Sequence, residues 1–295
     1  MSQTTTSRRP IGATVGIPPR QMEFRPAHGS ARHPFFNNNL LASSMFVVFS
    51  GIFPPGERFF MESVRHFRNE IKDPVLKAKV AGFMGQEALH GREHERLNEF
   101  FTERGLDVAM PERMIKFSLG LLEYLSPRQQ LACTTLMEHF TAHLAEQWLT
   151  AEKFQQTSDP EMLKLWYWHA LEELEHKSVA YDVFNTVQGT QRERKLAGLY
   201  VGAALLPSIV FSWAWLVAQD KERFNLREHR RGLRELFGRK GFISSILPHM
   251  PKFMSYKFHP DQQNTGELEK IWRERLFGEQ GELLEEFRNR EALVA

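Results

Sequence analysis

Residues 159–176 read DPEMLKLWYWHALEELEH, and this stretch decides the fold. Asp159 is a capping residue and Pro160 suits the first helical position, so a helix opens here. Within it His169, Glu173 and His176 follow at spacings of four and three. That sets three metal-binding side chains within about 60° of arc. Glu172 lies at the edge of this sector and Glu175 points elsewhere. Ligand-type side chains on one face of a capped helix imply a bundle whose interior holds them.

The cap-proline device recurs at Asp73-Pro74 and Ser126-Pro127. Together the three signals predict helices near 56–71, 74–104, 127–156 and 160–188, with a shorter one over 111–124. Period-2 alternation bounded by turn signals is almost absent, so strands are not expected. The first and second helices, and the third and fourth, are joined by short links and should form antiparallel hairpins. The link over 105–126 is longer and makes a crossover. The expected fold is all-α: a ferritin-like four-helix bundle with one crossover connection, followed by a C-terminal hydrophobic helix and a basic helical extension. Residues 1–31, polar and rich in Gly, Pro and Arg, read as a disordered or loosely docked arm. Residues 32–190 form the bundle, and 191–295 the hydrophobic helix and basic extension packed on it.

The second helix repeats the Glu-x-x-His spacing in Glu87 and His90, on a face shared with Val80, Phe83 and Met84. The first and third helices should each add a carboxylate. Glu57 shares its face with Phe53, Phe60, Met61 and Val64, whereas Glu62 lies with Arg58, Arg65, His66 and Asn69 on a solvated face. Glu138 sits among Leu131, Thr134, Thr135, Ala142, Ala145 and Leu149, where an unpaired carboxylate would be costly. His139, His143 and Glu146 fall toward another face. The candidate metal ligands are therefore Glu57, Glu87, His90, Glu138, His169, Glu173 and His176. His94 and Glu172 stand as extra ligands or as residues that hydrogen-bond a ligand. The order Glu, Glu-x-x-His, Glu, Glu-x-x-His is that of di-iron and di-manganese carboxylate bundles, where bridging carboxylates offset the charge of two ions. Two Fe ions are the expected cofactor, with Mn accepted by the same donors.

The composition narrows the alternatives. Thirty-eight basic and 36 acidic residues leave a net charge of +2, which gives no global pull toward nucleic acid. The single cysteine, Cys133, excludes an internal disulfide and a cysteine-based zinc site. No phosphate-binding glycine loop and no serine nucleophile set stand out.

The segments FPPGERFFMESVRHF (53–67), VAGFMGQEALHGREHERLNEFF (80–101) and WHALEELEHKSVAYDVF (168–184) resemble the bacterial family called predicted metal-dependent hydrolases, over about Arg32 to His259. The resemblance implies a ferritin-like bundle. The ligand pattern also resembles that of the di-iron arylamine N-oxygenases, which carry an additional histidine four residues before the Glu of the second Glu-x-x-His. His169 occupies that place here, and this likeness covers the motif positions alone.

Three functions follow as expectations. The first is an O2-activating oxygenase or oxidoreductase acting on a small or lipid-like apolar substrate, with a separate electron donor. The second is a hydrolase using a metal-bound hydroxide, and the third a non-enzymatic iron-binding protein. Residues 196–218, LAGLYVGAALLPSIVFSWAWLVA, contain no charge and are long enough to span a bilayer. Pro207 at the midpoint instead suits a kinked helix, or two short ones, packed on the bundle. The arginine-rich stretch beyond it would rest on a membrane surface. The protein is expected to be cytoplasmic, membrane-associated through 196–218, and able to form a homodimer.

Overall fold

The computed structural model describes residues 9–25 and 34–294. The described chain is all-α. Its helices are α1 (Leu40–Arg65), α2 (Pro74–Glu103), α3 (Ala109–Leu122), α4 (Pro127–Thr150), α5 (Glu152–Gln156), α6 (Pro160–His176), α7 (Val179–Thr186), α8 (Gln191–Gln219), α9 (Leu226–Phe237), α10 (Gly266–Phe277) and α11 (Arg290–Val294). Short 3-10 turns lie at Ile11–Val15, Leu247–Met254 and Pro260–Gln262.

The three cap-proline signals open α2, α4 and α6. Asp73 accepts hydrogen bonds from Val75 N (3.1 Å) and Leu76 N (3.3 Å), and Asp159 does the same for Glu161 and Met162. Ser126 and Gln129 form a reciprocal capping box.

The first helix differs from expectation, starting at Leu40 rather than near residue 56. Asn39 caps it, and it runs through Pro54-Pro55. Pro54 has no N–H for the carbonyl of Ser50, a loss that usually breaks a helix. Here the Asn98 side-chain Nδ2 donates to that carbonyl at 3.0 Å and replaces the missing bond. The expected third helix, 127–156, breaks at Ala151 into α4 and α5; Gln155 Nε2 donates to the freed Trp148 carbonyl, and Phe154 turns into the core. The expected fourth helix, 160–188, breaks after His176 into α6 and α7. Lys177 Nζ donates to the Leu174 carbonyl that the break leaves open.

Helix α1 packs on α2 and α4 on α6, and contacts of α1 with α4 and α2 with α6 close a four-helix core. Two apolar clusters fill it. One is aromatic, built on Phe36, Phe46, Trp148, Trp166 and Phe242; the other gathers Phe59, Phe60, Phe83, Leu131 and Val179. On α1, α2 and α4 the candidate ligands lie between the buried residues of one cluster and those of the other; on α6 they are interleaved with the first cluster, and the second begins at Val179 on α7. A polar layer thus crosses the middle of an apolar core.

Residues 9–25 correct the expectation of a loosely docked arm; the rest of 1–31 lies outside the described residues. Ile17, Arg20 and Met22 are buried, and Met22 bridges to Phe287. The arm lies on α2 at two glycines. A Cβ on Gly82 would come within 2.6 Å of the Ile17 carbonyl, and one on Gly85 within 2.7 Å of Pro19.

Helix α8 is continuous through Pro207 and packs on α3, α4 and α1. Both α1 and α8 are long and apolar enough to cross a membrane, but 83% of the apolar window of α1 is buried against 22% of that of α8. Helix α1 is a core helix; α8 is a surface helix with an apolar exterior.

Candidate metal centre

All seven candidate ligands meet in the polar layer, and none is more than 4% exposed. Helix α1 supplies Glu57, α2 supplies Glu87 and His90, α4 supplies Glu138, and α6 supplies His169, Glu173 and His176. Three groups of donor atoms lie within 4.8 Å of one another: Glu57–His90–His169, Glu87–His90–Glu173 and Glu87–Glu138–His176. Glu173 Oε1 is central, at 3.0 Å from His169 Nε2, 3.5 Å from His176 Nε2 and 3.8 Å from His90 Nδ1. Gly91 leaves room for Glu57, since a Cβ there would sit 3.1 Å from Glu57 Oε2.

The outer hydrogen bonds fix how each imidazole faces this centre. Asn98 uses its amide to donate to Ser50 O, so its Oδ1 accepts from Ser50 Oγ at 2.7 Å. Ser50 Oγ then accepts from His94 Nδ1 (3.0 Å), and His94 Nε2 accepts from His169 Nδ1 (2.8 Å). The His169 proton is thereby held on Nδ1, and Nε2 turns a lone pair inward. His90 donates from Nε2 to Glu172 Oε2 at 3.0 Å, which leaves Nδ1 bare. Gln86 donates its amide to Pro18 O and Glu175, so its Oε1 accepts from His176 Nδ1 at 3.0 Å and leaves His176 Nε2 bare. Three nitrogen lone pairs therefore face carboxylate oxygens, an arrangement that only a proton or a cation between them makes favourable.

The carboxylates carry the same signature. Both oxygens of Glu57, Glu87 and Glu138, with Glu173 Oε2, are buried without a hydrogen-bond partner. Without a cation, burial and the neighbouring carboxylates hold Glu57 well above its usual range. Burial alone does most of this at Glu138, and brings Glu87 to about 7. At Glu173 burial is outweighed by His176 and His169, and its carboxyl is held low. At His176 burial is likewise outweighed, by Glu173, and its imidazole is held high. Four buried carboxyl groups and three inward lone pairs fit two divalent cations, and no set of internal hydrogen bonds satisfies them.

A family model described as "Predicted metal-dependent hydrolase" matches residues 18–264. The chain belongs to this family. The matched span includes every residue of the polar layer and the arm from Pro18 onward. Searches of curated proteins and of solved structures give no match.

In this member of the predicted metal-dependent hydrolase family, the two residues left open by the sequence lie behind the imidazoles. His94 supports His169, and Glu172 supports His90. Burial pushes Glu172 up to about 8 against the pull of Arg20, whose guanidinium contacts it at 2.8 Å. Arg20 also forks onto Glu175, with both contacts at 2.8 Å. Glu175 does point away from the centre, as its spacing indicates, but it is buried and ties the arm to α6. Glu62 is exposed and pairs with Arg65. Sequence reasoning missed Arg20, Ser50, Gln86 and Asn98. Gln86 carried a signal, being the polar residue directly before Glu87; the other three are distant in sequence and carried none. A small cavity of about 10 Å³, room for no more than a water-sized molecule, abuts His169 and Glu173 and is walled by Phe53, Thr141, Leu144, Trp148 and Trp166.

Proposed function

We propose that the chain is a dinuclear metalloenzyme that activates O2 to oxidise a small apolar substrate. Glu57, His90 and His169 would hold one ion, and Glu87, Glu138 and His176 the other, with Glu173 between them. Iron is the favoured metal, and manganese suits the same donors. The observation that carries the reading is the surroundings of the donors: they are sealed from water inside the helices, and the cavity against them is walled by aromatic and aliphatic side chains. A space this small suits a molecule the size of O2, and its apolar walls would have to part to admit an apolar substrate beside it. When bound, a reduced metal pair supplies electrons to O2, and a separate donor restores them. The chain's own residues do the rest. The Asn98–Ser50–His94 relay, Glu172 and Gln86 keep the imidazole protons on the outer nitrogens. Phe53, Trp148 and Trp166 orient the substrate and exclude water.

Hydrolysis is the second reading, favoured by the description of the family. The same donors would hold metals that polarise an ester or amide carbonyl and lower the pKa of water.

One experiment separates the two. Metal is quantified in the purified protein, which is then loaded anaerobically with ferrous iron and exposed to O2. Two irons per chain, and O2 uptake stoichiometric with them, support the oxygenase. Tightly held zinc, no O2 uptake and turnover of model esters or amides sink it and establish hydrolysis.

A further inference from the structure

Helix α8 is apolar on its outer side. Its buried side mixes Arg194, Ser208 and Ser212 with Ala197, Leu205 and Leu216, and its outer side carries Leu199, Leu206, Val210, Phe211 and Trp215, with Leu199 64% exposed and Leu206 60%. On the buried side Ser208 pairs with Ser118 of α3 at 2.6 Å, and Arg194 donates to the carbonyls of Phe253 and Ser255. Helix α3, packed alongside, exposes Phe117 and Leu121, and Tyr124 is exposed just beyond its end. From Leu199 to Ala218 the outer side of α8 bears no charge, a run of about 30 Å at 1.5 Å per residue. Cations bound this surface. Arg192 and Lys195 lie exposed at one end, where Glu193 is held by Arg128; Lys221 and Arg223 alternate with Asp220 and Glu222 at the other; and Arg113 stands beside Phe117 with Lys116, which pairs with Glu112.

We propose that the joint outer face of α3 and α8 lies in the plane of an anionic lipid surface, with α8 parallel to it. An apolar strip rimmed by lysine and arginine matches acyl chains flanked by phosphate headgroups. A second copy of the chain matches less well. A parallel pairing of two such helices sets Arg192 and Lys195 of each copy against those of the other. A spanning arrangement fails because α8 is bound along its length to α3 and α4, which would have to enter the hydrocarbon with Arg113, Lys116 and the Glu138 layer.

The test is flotation of the full chain with phosphatidylcholine vesicles, with and without phosphatidylserine. The expected result is flotation with the phosphatidylserine vesicles alone, falling as salt rises and released at alkaline pH. Leu206→Asp with Val210→Asp should abolish it, and Arg192→Glu with Lys195→Glu should weaken it. Helicity and metal content should stay at wild-type values in both, which keeps the test separate from the chemistry of the metal centre. Three results would overturn the proposal. One is failure to float with phosphatidylserine vesicles. Another is a lipid-free dimer that Leu206→Asp dissociates, which assigns the face to a second copy. The third is retention on the vesicles at alkaline pH, the behaviour of a spanning helix.

Discussion

At the residue scale, the centre depends on which way each ligand points, and this can be tested one side chain at a time. Glu138 is buried on α4 with both oxygens lacking a protein partner, whereas Glu62 is exposed and paired with Arg65. Glu138→Ala should lower the metal content of the purified protein, and Glu62→Ala should leave it unchanged; equal content in the two variants would contradict the ligand assignment. Ser50 touches no ligand, yet it sets the tautomer of His169 through His94. Ser50→Ala leaves the His94 Nδ1–H without its acceptor, and should weaken metal binding by about 10–100-fold, the usual effect of losing a hydrogen bond behind a metal-bound histidine. A competition titration against a chelator reads this directly, and an unchanged affinity would show that His169 needs no relay. That the seven candidate side chains share one buried layer was legible in the sequence, because spacings of three and four project onto one helix face and because Glu57 and Glu138 keep apolar company. The relay was not. Ser50 and Asn98 are 48 residues apart, and only the packing of α1 on α2 joins them.

At the element scale, two features could be read only once the helices had packed. Pro54-Pro55 looks like a helix start, since proline suits the first turn. It instead lies inside α1, because Asn98 on a neighbouring helix supplies the donor that Pro54 lacks. The arm looked polar and unanchored, yet it docks where Gly82 and Gly85 present bare backbone on α2. Gly82→Ala adds a Cβ that meets the Ile17 backbone rather than a movable side-chain end. It should displace the arm and cost roughly 1–3 kcal/mol, despite the better helix propensity of alanine. Because Arg20 rides on the same arm, proteolysis near residues 17–25 should accelerate in the variant. Unaltered cleavage would show that the arm docks independently of this contact. The caps at Asp73, Ser126 and Asp159 need no such context, and they set the starts of α2, α4 and α6 as the sequence implied.

At the scale of the whole molecule, a polar layer that holds metal would make folding and metal binding one equilibrium. Without metal, Glu57, Glu87, Glu138 and His176 all bind protons more tightly in the folded chain than in the unfolded one. Groups of this kind contribute stability that is fully present below their unfolded values and lost as pH rises through the folded ones. For Glu87 that window runs from 4.5 to about 7. Glu173 is shifted the opposite way, and its contribution changes only below its ordinary value of 4.5, outside this window. Glu172, pushed up to about 8, acts in the same sense. His90, His94 and His139, held low by burial, gain stability as pH rises to their ordinary value of 6.5 and oppose the carboxyl groups below it. The chelated protein should therefore melt at progressively lower temperature as pH rises from 6.5 to about 8. With metal the slope reverses, because the ligands must lose their protons to bind and acid competes with the cation. At neutral pH and a metal concentration a thousandfold above Kd, binding should add about 4 kcal/mol, on the order of ten degrees in Tm. Calorimetry of the chelated and metal-loaded chain across this range decides the matter. Opposite slopes support a centre whose carboxylates are neutralised by protons in one state and by metal in the other. Parallel slopes would mean that the buried carboxyl groups find their counter-charge elsewhere, and that the polar layer is a structural feature of the core.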